Sequence, residues 1–231
     1  MSRVLRLAIH PVPELSVRDT SLRYTDILFG FVIRELFLRL QGWPGLEHAV
    51  RWQLVAGTVL VLGSWIGYRR SLNLSAFEVK FFNLPLGRFV VDQLMLILYF
   101  RIATLTPTDG SAIPDRAALA LHTARLIALV FVLYLIWDLL GIWMAAARRT
   151  DDNGRIRPRY PYVKGELITE EPARKDWIGL LVTASALVLL AAVWLSAPRA
   201  GARWVFPGII LVLLAYRWAK ETKTSCRLQS A

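Results

Sequence analysis

Six apolar stretches, near 24–40, 52–68, 85–104, 120–146, 176–196 and 203–218, each approach the length that crosses a bilayer and together occupy most of this 231-residue chain. A helix rises ~1.5 Å per residue, so a ~30 Å hydrocarbon layer requires roughly 20 residues, and a backbone surrounded by lipid must satisfy its own hydrogen bonds. Helices fit that requirement here. Alternating ten-residue strands are absent, whereas a run such as Leu180 to Leu195 is apolar on every face. The chain is therefore expected to be an all-α, polytopic integral membrane protein with six transmembrane helices. One membrane domain covers 24–218, preceded by an N-terminal segment, 1–23, interrupted by a hydrophilic loop, 147–175, and followed by a basic tail, 219–231.

Composition agrees with this division. Hydrophobic residues make up 55% of the chain and charged residues 19%, against roughly 45–50% and 25% in soluble domains. The formal net charge of +11 does not mark a nucleic-acid-binding surface, because the charges punctuate apolar segments and do not form a basic stripe on a folded domain. Their placement instead orients the chain, since basic loops resist translocation. Arg3, Arg6, Arg18 and Arg23, then Arg69, Arg70 and Lys80, then the stretch from Arg148 to Lys175, and finally Arg217, Lys220, Lys223 and Arg227 all fall on one side. The opposite loops hold only Arg51, Arg116, Arg199 and Arg203. Both termini are thus expected in the cytoplasm. The N-terminal run from Met1 to Pro11 lacks a long apolar core followed by a cleavage site, so the first span is expected to act as the targeting signal. A compact chain without sorting signals suggests the bacterial inner membrane.

Tryptophans bracket the later spans, Trp177 and Trp194 the fifth and Trp204 and Trp218 the sixth, as amphipathic rings favour the headgroup zone. Gly63 and Gly67 have the spacing that lets two helix backbones approach closely. A single cysteine, Cys226, precludes an intrachain disulfide, and no metal or cofactor is expected. His10, His48 and His122 are widely separated, and no phosphate-cradling or nucleophile-turn motif is present, so the chain is not expected to be an enzyme.

The informative residues are the charges inside the spans. Each costs about 2.5–3.5 kcal/mol near a helix centre unless it finds a partner, water or the interface. They concentrate in spans one, three and four: Asp26, Arg34 and Glu35; Arg88, Asp92 and Arg101; His122, Arg125 and Asp138. Those three helices are expected to form a polar interior, with Asp26, Arg88, Asp92 and Asp138 in its cytoplasmic half, Glu35, Arg39, Arg101, His122 and Arg125 in its outer half, and Arg34 near the middle. Arg88 with Asp92, and Glu35 with Arg39, stand one helical turn apart and can pair locally. Asp138 has no basic residue within a turn, so its partner must come from another helix or the group must be protonated. Asp26, Arg34, Glu35, Arg88, Asp92 and Asp138 are the candidate members of an ion pathway or polar network.

The first span opens Arg23-Tyr24-Thr25-Asp26-Ile-Leu-Phe29-Gly-Phe-Val-Ile33. This loosely resembles the start of the first helix in bacterial relatives of the endolysosomal six-helix potassium channels, with Tyr24-Thr25-Asp26 standing where that family has Phe-Ser-Asp. The Trp65-x-x-Tyr68-Arg69-Arg70 end of span two and Pro85 at the entry to span three fit the same picture. The resemblance implies a multimeric channel whose first helix lines the pore, with Ile27 and Phe31 as candidate pore-lining residues. Arg34-Glu35 departs from the pattern, because a pore-facing arginine would oppose cations. The leading expectation is a small, homo-oligomeric, potassium-like cation channel or other ion-conducting protein, with the lipid bilayer and a monovalent cation as partners. The alternative is a non-conducting scaffold or accessory subunit that binds a partner or anionic lipid through its basic loop and tail.

Overall fold

The computed structural model describes residues 17–74, 84–106, 115–147, 174–200 and 202–229. Most of the N-terminal segment and of the basic loop, 1–16 and 148–173, lies outside the described residues. Within them the chain is entirely helical: α1 (Val17–Leu40), α2 (His48–Leu74), α3 (Leu84–Ala103), α4 (Arg116–Ala147), α5 (Arg174–Ala200) and α6 (Ala202–Gln229), with one short 3-10 turn at Trp43–Gly45. Three of them contain stretches long and apolar enough to cross a membrane: His48–Arg69 in α2, Ala117–Trp143 in α4 and Trp177–Ser196 in α5. The other three are more heavily charged, notably at Asp26, Arg34, Glu35 and Arg39 in α1, Arg88, Asp92 and Arg101 in α3, and Arg217, Lys220 and Glu221 in α6.

Local chemistry explains several helix ends. Asp115 begins α4 by accepting hydrogen bonds from the Ala117 and Ala118 amides at 2.8 and 2.9 Å, which satisfies two of the free N–H groups of its first turn. Between α1 and α2, the Arg51 guanidinium donates to the Leu46 and Pro44 carbonyls at 2.9 and 3.0 Å and lies 5.7 Å from the centre of the Trp43 ring. The end of α3 and the turn that follows it are held from two sides, Gln53 donating to Ile102 O and Arg39 to Thr106 O, both at 2.8 Å.

Helices α1, α2, α6, α4 and α3 close a ring in that order, and α5 packs on its flank against α4 and α6. One end of the ring is packed solid by Leu36, Leu54, Ile102, Ile127, Phe206 and Ile209, all buried. Gly57 permits this closeness, since a Cβ there would meet Ile102 Cγ2 at 3.3 Å and Leu36 Cδ2 at 3.6 Å. The outside is apolar too: Ile97, Leu181, Val188, Leu195 and Leu211 are all exposed. A bundle apolar both inside and out is what a lipid surround accommodates.

Candidate functional site

The other end of the ring encloses a cavity of about 460 Å³. Its contributors follow helical spacing: Thr25 and Phe29 on α1; Leu60, Ser64, Gly67 and Tyr68 on α2; Asp92, Met95 and Tyr99 on α3; Phe131, Tyr134, Trp137 and Asp138 on α4; Leu213, Tyr216, Arg217, Lys220 and Glu221 on α6. Steps of three and four residues place each set on one helix face.

Aromatic rings form much of the wall. Phe131 meets Tyr134 and Tyr216 edge to face, at centroid distances of 5.1 and 4.8 Å, while Tyr134 and Tyr216 stack at 5.9 Å. Phe29 lies 6.0 Å from Tyr68 and 5.9 Å from Tyr99. Hydroxyls tie three helices together. Ser64 Oγ donates to the Leu60 carbonyl at 2.6 Å, so it is placed to accept from Tyr134, with which it is hydrogen bonded. The Tyr134 oxygen in turn can accept from Tyr99 at 2.8 Å. The chain of donors therefore runs from α3 through α4 to α2.

The rim carries the charge. Asp138 Oδ2 accepts from Lys220 Nζ of α6 at 2.8 Å and from Thr183 Oγ1 of α5 at 2.6 Å. Its partners are thus tertiary, as its isolation in the sequence requires. Arg217 donates to Glu221 at 3.2 Å, one turn along α6. Asp92 lines the cavity with one carboxyl oxygen, Oδ1, buried and without a hydrogen-bond partner among the described residues, and the same holds for the Trp137 indole nitrogen. Arg88, a turn before Asp92, lies over the Trp137 ring with its guanidinium carbon 3.5 Å from the centroid.

The remaining candidates fall into three places. Asp26 sits beside the cavity, accepting from Trp65 Nε1 at 3.2 Å and facing Arg69 at 3.3 Å. Glu35 pairs with Arg39, which spends its Nε on the Thr106 carbonyl, so this pair fastens the end of α3 at the packed half of the bundle and takes no part in the cavity. Ile27 and Phe31 are 58% and 57% exposed on the outer face of α1, and Arg34 lies exposed on that same stripe. Arg101, His122 and Arg125 also face outward.

Two expectations change. The polar interior is not confined to helices one, three and four, because α2 and α6 supply as much of it. The Gly63/Gly67 pair does not join two helix backbones. It forms a notch for Arg217: a Cβ on Gly67 would overlap the Arg217 guanidinium, and one on Gly63 would lie 3.8 Å from Arg217 Cδ. Sequence reasoning counted Arg217 and Lys220 only as topology signals and passed over the tyrosines. The spacing Tyr134-x-x-Trp137-Asp138 and Tyr216-Arg217-x-x-Lys220-Glu221, aromatic and charged residues sharing a face near a helix end, is the signal that could have found them.

Comparison of the chain with models of known protein families, with curated proteins and with solved structures finds no match.

Proposed function

We propose that this chain is a six-span protein of a bacterial cytoplasmic membrane, with both termini in the cytoplasm, and that it moves a cation through the cavity formed by α1, α2, α3, α4 and α6. The observation that carries this reading is the convergence of Asp92 and Asp138, 46 positions apart in sequence, on one cavity inside an apolar bundle. Two carboxyl groups at such a place each oppose insertion by a few kcal/mol, which the fold alone does not require. By the predicted orientation the cavity opens to the cytoplasm, since the starts of α1 and α3 and the ends of α2, α4 and α6 surround it. The opposite half is filled by Leu36, Leu54, Ile102, Ile127 and Phe206. A site accessible from one side and sealed on the other suits a transporter, or a channel in its closed state.

A second reading, the potassium-like homo-oligomeric channel, draws support from the shared exposure of Ile27 and Phe31, which would let α1 face a symmetry axis. Arg34 on that stripe weighs against it, because a ring of arginines repels cations.

The test is ion flux into liposomes containing the purified protein, comparing wild type with Asp92→Asn and with the pair Ile27→Ala and Phe31→Ala. Flux lost only in Asp92→Asn supports the cavity. Flux altered only by the α1 substitutions supports the ring, and no flux of potassium, sodium or protons from folded protein would favour a non-conducting scaffold.

A further inference from the structure

The cavity's walls divide along its depth, and the division specifies what can enter if the cavity is the transport site. Phe29, Leu60, Phe131 and Leu213, one to two helical turns from the charged rim, form a deep end that offers no side-chain oxygen. Around the middle stand the rings of Tyr99, Tyr134 and Tyr216, the last two stacked on each other. At the rim stand three carboxyl groups, Asp92, Asp138 and Glu221, with Lys220 and Arg217 beside the last two and Arg88, behind the wall, acting on the first.

We propose that the cavity takes a hydrophobic organic cation, an ammonium or phosphonium ion with apolar substituents, in preference to a bare alkali ion. An alkali ion that sheds its water needs a shell of oxygens, which the deep end lacks. An organic cation needs none: its apolar arms fill the deep end, and its charge is attracted by the negative faces of aromatic rings. The rim cations are engaged, Lys220 by Asp138 and Arg217 by Glu221. The Asp92 oxygen without a hydrogen-bond partner is the acceptor available to a bound cation. Arg88 acts on Asp92 from one turn away on α3, outside the cavity wall and over the Trp137 ring, and leaves Oδ1 without a hydrogen bond. The volume of about 460 Å³ lies within the range of roughly 300–1,000 Å³ in which proteins hold small organic ligands.

This inference rests on the transport reading, and the experiment separates the two. Labelled tetraphenylphosphonium is equilibrated with the protein in nanodiscs, with empty nanodiscs as background, and competed with potassium, tetramethylammonium and tetrabutylammonium. Saturable binding is expected, displaced by tetrabutylammonium well below the concentration needed of tetramethylammonium and not displaced by potassium. Asp92→Asn should weaken binding at least tenfold, and Val59→Phe, which puts a ring into the cavity from its α2 wall beside Leu60, should abolish it, with folding checked by thermal unfolding. Should Asp92→Asn fail to fold, Val59→Phe decides alone. Unaltered binding in a folded Val59→Phe or Asp92→Asn variant, or displacement by potassium as readily as by tetrabutylammonium, overturns the proposal. Asp92-dependent potassium flux without any organic-cation binding overturns it while leaving the transport reading in place. Binding as expected but no flux of any cation sustains it and removes the transport reading.

Discussion

Removing the Lys220 ammonium should destabilise the protein more than removing the Asp138 charge that faces it. The two groups are 2.8 Å apart, with 22% and 14% of their side-chain surface exposed. Stripping one partner from a buried pair costs about 3–5 kcal/mol, because the other is left charged and unsolvated. In Lys220→Met, Asp138 keeps only the Thr183 hydroxyl, and the residual exposure places the loss at the lower end, about 3 kcal/mol. In Asp138→Asn, the four-carbon stem of Lys220 can carry its ammonium to the headgroup region, so the loss falls to about 1–2 kcal/mol. The double variant leaves no isolated charge and should also lose about 1–2 kcal/mol, giving a coupling energy of about 3 kcal/mol, or roughly 150-fold in the unfolding equilibrium. Equilibrium unfolding in mixed micelles, followed by tryptophan fluorescence, measures all four corners of this cycle. A coupling below about 0.5 kcal/mol, the level of additive and unconnected sites, or a larger loss in Asp138→Asn than in Lys220→Met, would refute the reasoning.

Gly67→Ala should change stability by less than about 1 kcal/mol, because its methyl group moves only the flexible end of the Arg217 side chain and alanine favours the helix by up to about 1 kcal/mol. Gly63→Ala, with its nearest neighbour at 3.8 Å, should keep the whole helix gain of about 1 kcal/mol, and thermal unfolding of the two variants side by side checks both values. Gln53→Leu uncovers the Ile102 carbonyl at the end of α3 and should cost about 1–3 kcal/mol in the same assay. Ile27→Ala and Phe31→Ala, on the exposed outer face of α1, should each change stability by less than about 0.5 kcal/mol and leave flux unchanged. Cys226, the one cysteine, should resist a membrane-impermeant maleimide in intact cells and react after permeabilisation, and labelling in intact cells would reverse the proposed orientation.

The helices were legible because their signal is redundant. Each predicted stretch falls on one helix of the structure, the third running one residue past its end at Ala103 and the sixth helix extending to Gln229 where apolarity predicted an end near 218. The reason is that Arg217, Lys220 and Glu221 continue the inward face begun by Leu213 and Tyr216, and helical pairing lets charges persist beyond the apolar run. Local pairing at one-turn spacing was readable for Glu35 and Arg39, since both partners belong to one helix. Asp138 showed the limit of such reading. Its surroundings require a distant partner, but nothing in the sequence says that this is Lys220, 82 positions away on the neighbouring helix α6. The same applies to the notch at Gly67, where small-residue spacing is identical whether the space receives a backbone or an arginine.

The position of α5 has a consequence for how the bundle can move. Among the described residues no side chain of this helix lines the cavity, yet Thr183 holds the carboxyl group at its rim. In water, peeling off such a helix would expose Ala186 and Leu190 to a hostile solvent. In a bilayer the acyl chains that replace it are as apolar as leucine, so association rests on packing fit and polar contacts. Packed on the flank against α4 and α6, α5 can slide without opening the ring, and Thr183 makes any such sliding felt at Asp138. A peripheral helix joined to the rim by a single hydroxyl links the surrounding lipid to the mouth of the cavity.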